Sequence, residues 1–282
     1  MQERTLISVA RAHALIEAGD ALAVDCRWQL TDPSHGPRAY AEGHIPGAAY
    51  ANLDRDLSEL GRPGLGRHPM PRAEAFGAFL GRVGITPATV VIAYDDGSGA
   101  YAARLWWLLR LAGHEAVAVL DGGLAAWTAA GLPITREIPE RATTRYPVTF
   151  ASEPVESAES VQAMLARDGG LLLDARGPTR FRGEEEPIDR VAGHVPGACN
   201  RPFTQNLRPD GTFKDRAVLR EEFESALGGR APDAVVHMCG SGVTACHNLL
   251  AMEHAGLAGS RLYAGSWSGW ISDPSRPVAK GA

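Results

Sequence analysis

The chain has 282 residues, 45% of them hydrophobic and 22% charged, and a net charge of −5 with its nine histidines counted as neutral. This is ordinary for a soluble globular protein and gives no basic footprint for nucleic acid or an anionic membrane. No window approaches the roughly 18 apolar residues of a membrane span. The first residues lack the apolar run of a signal peptide, and the four cysteines form no C-x-x-C pair, which argues against a disulfide scaffold or zinc ribbon. The expectation is a cytoplasmic protein with reduced thiols, no metal and no cofactor.

In chain order, Leu22–Asp25 is a short apolar run read as a buried strand. It is followed by the turn-like stretch Gly43-His44-Ile45-Pro46-Gly47-Ala48. The periodic stretch 73–83 predicts a helix, 90–94 a strand, 100–112 a helix and 116–120 a strand. Residues 137–156 carry Pro139, Pro147 and Pro154, many charges and no periodicity, and are read as a linker. The pattern then begins again. Ala21 to Arg27 returns as Gly170 to Arg176, and Gly43-His44 to Ala48 returns as Gly193-His194 to Ala198. Leu120 to Trp127 returns as Tyr263 to Trp270. In this second half, helices are predicted over 157–166, 217–227 and 243–255. The chain is thus a duplication, each half being of ordinary domain size. Domains are expected over 1–136 and 157–282. The alternation of strand and helix predicts an α/β fold, each domain a mainly parallel sheet with helices on both faces.

One position is chemically loaded. The apolar run Ala234 to Met238 leads into Cys239-Gly240-Ser241-Gly242-Val243-Thr244, and then a helix pattern starts. First-turn N–H groups have no intrahelical partner, the helix dipole adds partial positive charge, and glycines let the backbone curl into an anion-binding nest. All three favour thiolate over thiol and would hold a persulfide or another anion. The bland alternative is a buried cysteine packed as a small hydrophobe, which is the reading given to Cys246.

The duplicated Asp-x-Arg and Gly-His-x-Pro-Gly-Ala motifs, with this cysteine loop in the second half, resemble the tandem rhodanese family over nearly the whole chain. Thiosulfate-type members typically carry Cys-Arg-Lys-Gly-Val-Thr in the loop, and mercaptopyruvate-type members carry Cys-Gly-Ser-Gly-Val-Thr, as residues 239–244 do. The resemblance implies a sulfurtransferase that takes sulfur from 3-mercaptopyruvate onto Cys239, cradled by Gly240, Gly242, Val243 and Thr244. Pyruvate is released, and the sulfur passes to cyanide or to a thiol such as thioredoxin or a small thiol. It also implies Arg180 and Arg190 as a carboxylate clamp, since guanidinium grips carboxylate bidentately. Ser241, His68 and Asp54 are implied as a proton relay, with Asp54 and His68 presented by the first domain.

His44 and His194 occur in both halves, although only one half has the cysteine, so they are read as structural. The first-half loop, Tyr94-Asp95-Asp96-Gly97-Ser98-Gly99, is read as non-catalytic, because two carboxylates there would repel an anion. Three rivals stand beside the main reading. A thiosulfate sulfurtransferase shares the fold and cysteine. A cysteine phosphatase needs an arginine at the end of the loop, where Ala245 stands. A non-catalytic persulfide carrier or redox sensor shares every cysteine feature and differs only in lacking turnover.

Overall fold

The computed structural model describes residues 4–167 and 169–281. Two compact units are present. The first comprises residues up to Glu59, Met70–Ala151 and Pro209–Phe213; the second comprises Leu60–Pro69, Ser152–Arg208 and the chain from Lys214 onward. These units cut the chain differently from a division by position. Residues 60–69 pack with the second unit, and most of the stretch read as a linker packs with the first. Its approach to that unit runs over two helical glycines. A Cβ on Gly81 would sit 2.3 Å from the carbonyl oxygen of Thr144, and one on Gly77 would sit 2.5 Å from that of Tyr146.

The first unit runs β1 (Leu6–Ile7), α1 (Val9–Glu17), β2 (Ala21–Asp25), α2 (His35–Glu42), β3 (Ala49–Tyr50), α3 (Ala73–Arg82), β4 (Val90–Tyr94), α4 (Ala102–Leu111), β5 (Val117–Leu120) and α5 (Gly123–Ala129). The second runs β6 (Val155–Glu156), α6 (Ala158–Leu165), β7 (Leu171–Asp174), α7 (Pro178–Arg182), β8 (Cys199–Asn200), α8 (Arg216–Leu227), β9 (Val235–Met238), α9 (Ala245–His254), β10 (Arg261–Tyr263) and α10 (Ser266–Trp270). The sheets are ordered β1-β5-β4-β2-β3 and β6-β10-β9-β7-β8, and every strand pair in them is parallel. The α/β prediction is therefore met, with the long elements within a residue or two of the expected positions.

The inner strands β4 and β9 read as buried, mostly apolar runs, interrupted in β9 by His237, because helices cover both faces of each sheet. Ile92, Tyr94, Leu120 and Trp127 sit in one core cluster, and Val236, Met238, Trp267 and Trp270 in the corresponding cluster of the second unit. In each unit the strand order reverses between two neighbouring strands, β2 and β4 or β7 and β9. Ligands of open α/β sheets bind outside the carboxyl ends of strands at such a switch point. In the second unit those ends deliver Asp174 and Cys239.

The repeated motifs have repeated structural work. Arg27 donates from Nε and Nη2 to Asp25, and its Nη2 also reaches the Gly43 carbonyl at 2.7 Å. Arg176 does the same with Asp174 and the Gly193 carbonyl at 2.8 Å. His44 and His194 each place Nδ1 at 2.8 Å from a main-chain oxygen, those of Tyr40 and Phe181, and stack on those same rings. Both histidines tie a turn to a helix, and neither belongs to the cysteine loop.

Candidate active site

Strand β9 lies between β7 and β10 and is fully buried. Its end delivers Cys239, which is 2% exposed. The loop that follows is pinned from one side by the start of α10. The N–H of Trp267 donates to the Cys239 carbonyl at 2.9 Å, and that of Ser268 to the Gly240 carbonyl at 3.0 Å. Ser266 Oγ accepts the Cys239 N–H at 3.0 Å and donates to the Tyr263 carbonyl. To do so Ser266 takes a left-handed φ of 51°, unique among the described non-glycine residues, a conformation that costs about 1 kcal/mol or more.

Within the loop, the N–H of Gly242 points at Cys239 Sγ, 3.1 Å away. Gly242 has φ +78°, and a Cβ there would lie 2.4 Å from the Ala264 carbonyl oxygen. Both its conformation and its surroundings therefore require glycine. The N–H groups of Gly240, Ser241, Val243 and Thr244 bond to no protein acceptor among the described residues. Cys239 thus sits in a turn with main-chain donors left for an anion, at the N-terminus of α9. Cys246, one turn into α9, is buried with its Sγ 3.3 Å from the Gly242 carbonyl, in keeping with its reading as packing.

The segment Gly66-Arg67-His68 docks beside this loop. A Cβ on Gly66 would lie 2.5 Å from the Gly265 carbonyl oxygen. The Arg67 N–H donates to Ser268 Oγ at 2.9 Å, and His68 Nδ1 lies 2.8 Å from Ser241 Oγ. Both His68 and Ser241 are buried. The sequence reading drew His68 from the first domain; the structure places its segment in the second unit, with the Cys239 loop. Asp54 belongs to the first unit, where its N–H donates to Asn52 Oδ1 at 3.0 Å.

Arg180 lies on α7, which Pro178 starts at the helix's first turn. Glu186 accepts from its Nε and Nη2 at 2.8 to 3.2 Å, and Asp189 accepts from Nη2 at 3.1 Å. Two buried carboxylates therefore hold the guanidinium in place, and a Cβ on Gly240 would meet its Nη1 at 3.5 Å. Arg190, expected as its partner, instead donates from Nη2 to the Ile271 carbonyl at 2.6 Å. The guanidinium beside Arg180 is that of Arg67, which shares Asp189 with it. Sequence reasoning missed Arg67; the only available signal was its place directly before His68.

A duplicated parallel α/β unit, with one cysteine loop at a switch point and arginine beside it, defines a two-domain class built for chemistry on a sulfur anion. Residues 8–130 and 157–273 each match the Rhodanese-like domain family, and the chain belongs to that family as a tandem-domain sulfurtransferase. It is 49% identical to a probable 3-mercaptopyruvate sulfurtransferase of Pseudomonas aeruginosa, with 100% of each chain covered. It is 41% identical to a putative thiosulfate sulfurtransferase, SseB, of Mycobacterium tuberculosis, covering 100% of this chain and 99% of that one. Among solved structures, the 3-mercaptopyruvate sulfurtransferase SseA of Escherichia coli superposes with a TM-score of 0.82 at 30% identity, over 94% of this chain and 100% of that one.

Proposed function

We propose that this protein moves sulfur from 3-mercaptopyruvate to a thiol or to cyanide through a persulfide on Cys239. The observation that carries the reading is the loop itself. Cys239 Sγ accepts the Gly242 N–H, and two residues on, Ser241 is hydrogen-bonded to His68.

The Cys239 thiolate attacks the substrate sulfur. The carbon–sulfur bond breaks, its electron pair leaves on carbon as the enolate of pyruvate, and the sulfur stays on Cys239. The proton from the substrate thiol passes through Ser241 and His68 and ends on the enolate carbon, giving pyruvate. The persulfide anion rests against the N–H groups of residues 240 to 244, where donors fixed in advance stabilise charge without reorganisation. An acceptor thiolate then attacks the outer sulfur and regenerates the Cys239 thiolate; cyanide would leave as thiocyanate. This is covalent catalysis by an activated nucleophile. We assign the acceptor role to thioredoxin or a low-molecular-weight thiol, and the setting to the cytoplasm. No helix among the described residues is long and apolar enough to cross a membrane.

A second donor, thiosulfate, is favoured by the full-length likeness to the mycobacterial relative named for it. Against it stands the neutral Gly240-Ser241 pair, since a dianion gains from basic loop residues. Steady-state turnover with each donor against cyanide decides. A higher kcat/KM for 3-mercaptopyruvate, lost in Cys239→Ser, supports the proposal. A preference for thiosulfate overturns the donor assignment, and turnover with neither makes the protein a carrier or sensor.

A further inference from the structure

Two arginine nitrogens converge on the mouth of the cysteine loop. Arg67 Nη1 donates to Asp189 Oδ1 at 2.6 Å, and Arg180 Nη2 donates to Asp189 Oδ2 at 3.1 Å. One carboxylate therefore holds both guanidinium groups from behind. Their other ends meet at Gly240. A Cβ there would lie 3.2 Å from Arg67 Nη2 and 3.5 Å from Arg180 Nη1. Neither of these two nitrogens has a protein acceptor among the described residues, and Arg67 Nε is buried without one. Arg67 is not a loosely held surface cation. Its flanks are fixed by Gly66 against Gly265, by its own N–H on Ser268, and by His68 on Ser241.

We propose that Arg67 and Arg180 form the carboxylate clamp of the site, with Arg67 in the place that the sequence pattern gives to Arg190. The inference rests on the reading of the substrate as a 2-oxo acid bearing a thiol. Two N–H₂ groups from separate guanidiniums, beside the residue next to the nucleophile, suit one carboxylate with an oxygen for each. The pairing also gives Gly240 a physical role. Any side chain there presses on Arg67 Nη2, and a basic one adds a third cation to the pair. The glycine that makes the loop neutral is the same glycine that leaves the clamp room.

The test compares Arg67→Met, Arg67→Lys and Arg190→Met in the full chain, with thermal melts as a check on folding. Two readings are taken: kcat and KM for 3-mercaptopyruvate, and the Kd for pyruvate by calorimetry. Loss of one charge-assisted hydrogen-bonding partner should raise KM and the pyruvate Kd in Arg67→Met by about 10–100-fold, with kcat within about threefold. Arg67→Lys should recover part of the loss, and Arg190→Met should shift both constants less than Arg67→Met does. The clamp is overturned by unchanged constants in Arg67→Met, by a larger shift in Arg190→Met, or by a fall in kcat together with the melting temperature. It is also overturned if the wild type does not bind pyruvate. A wild type that binds pyruvate but prefers thiosulfate would sink the donor assignment alone, and the pyruvate Kd would still read Arg67.

Discussion

The loops after β4 and β9 are the same construction put to different uses. In the second unit, the first N–H groups of α10 hold the carbonyls of Cys239 and Gly240. In the first, Leu124 and Ala125 at the start of α5 hold the carbonyls of Asp95 and Asp96 in the same way, both at 2.9 Å. The difference is the residue at the strand's end. Asp95 turns its carboxylate into its own loop and accepts the N–H groups of Gly97, Gly99, Tyr101 and Ala102 at 2.9 to 3.3 Å. Burial pushes its carboxyl group up while those four donors pull it down, and burial prevails. The Cys239 sulfur accepts one N–H, that of Gly242. One copy of the nest is thus filled from within by its own anion and has become structural. The other leaves the N–H groups of Gly240, Ser241, Val243 and Thr244 without a protein acceptor among the described residues, which is what the proposed anion needs. The sequence-based picture of Asp95 and Asp96 as two charges facing a substrate did not foresee the inward turn of Asp95, whose carboxylate closes the nest.

The glycines separate the two loops most sharply. Gly242→Ala forces a Cβ onto the Ala264 carbonyl and strains a φ of +78°, so the nucleophile moves. A displacement of about 1 Å at a reacting centre costs on the order of 100-fold in kcat, and turnover assays should show at least that loss. Gly97→Ala in the first loop meets only ordinary contacts at 3.7 Å and should leave turnover and melting temperature near wild type. A similar loss in both variants would mean that the loops are not differently used.

Ser241→Ala removes the hydroxyl from His68 while leaving the nest intact. We expect kcat to fall by about 100-fold, the lower end for a positioned proton-transfer group. The stoichiometric loading of Cys239 by a donor that needs no proton transfer should persist. Equal loss with every donor would argue that Ser241 only supports the loop.

Asp95→Ala empties the first nest. Buried hydrogen bonds to a charged group contribute about 1.5–3 kcal/mol each, partly offset here by the cost of burying the carboxylate, so a net loss of about 2–3 kcal/mol is expected in denaturant unfolding. The kcat of the folded variant should be unchanged. A large fall in kcat at full stability would show that the first loop takes part in the chemistry.

A smaller contrast lies in the strands themselves. His237 on β9 is fully buried, and burial, with help from Arg201, pushes it down to about 3. The first unit has Ala93 at the matching register. Below the ordinary histidine value of about 6.5, the unfolded chain takes up a proton that the folded chain refuses. Stability of the second unit should therefore decline as pH falls from there toward 3, and this group should have no effect above it. Denaturant unfolding at pH 7 and pH 5 should show that loss in the wild type and a shallower one in His237→Gln. Equal slopes would contradict the assignment.

The fold was legible because its signals are local. Buried parallel strands are apolar runs, the helices between them are periodic, and the duplication repeats both. The form of the Cys239 loop was legible for the same reason, since strand, cysteine, glycines and helix start are contiguous. What could not be read depends on distant pairing. Residues 60–69 are glycine-rich and aperiodic, and nothing local says that Arg67 and His68 pack against a loop at residue 241. Arg190 was singled out because it lies near Gly193-His194 in the chain, and nothing local shows that its guanidinium bonds to the Ile271 carbonyl. The inward turn of Asp95 was hidden as well, because a carboxylate that repels an anion and one that replaces it are the same residue in a sequence.

The central claim is that the open nest carries sulfur on Cys239. It is tested most directly by one turnover without acceptor: protein mixed with a slight excess of 3-mercaptopyruvate, intact mass and peptide mapping of the product, and pyruvate measured in the same tube. The account predicts one added sulfur atom per chain, mapped to Cys239 and removed by cyanide, with an equal amount of pyruvate. Sulfur on Cys26, Cys199 or Cys246 instead, or pyruvate released with no sulfur retained by the protein, would contradict it.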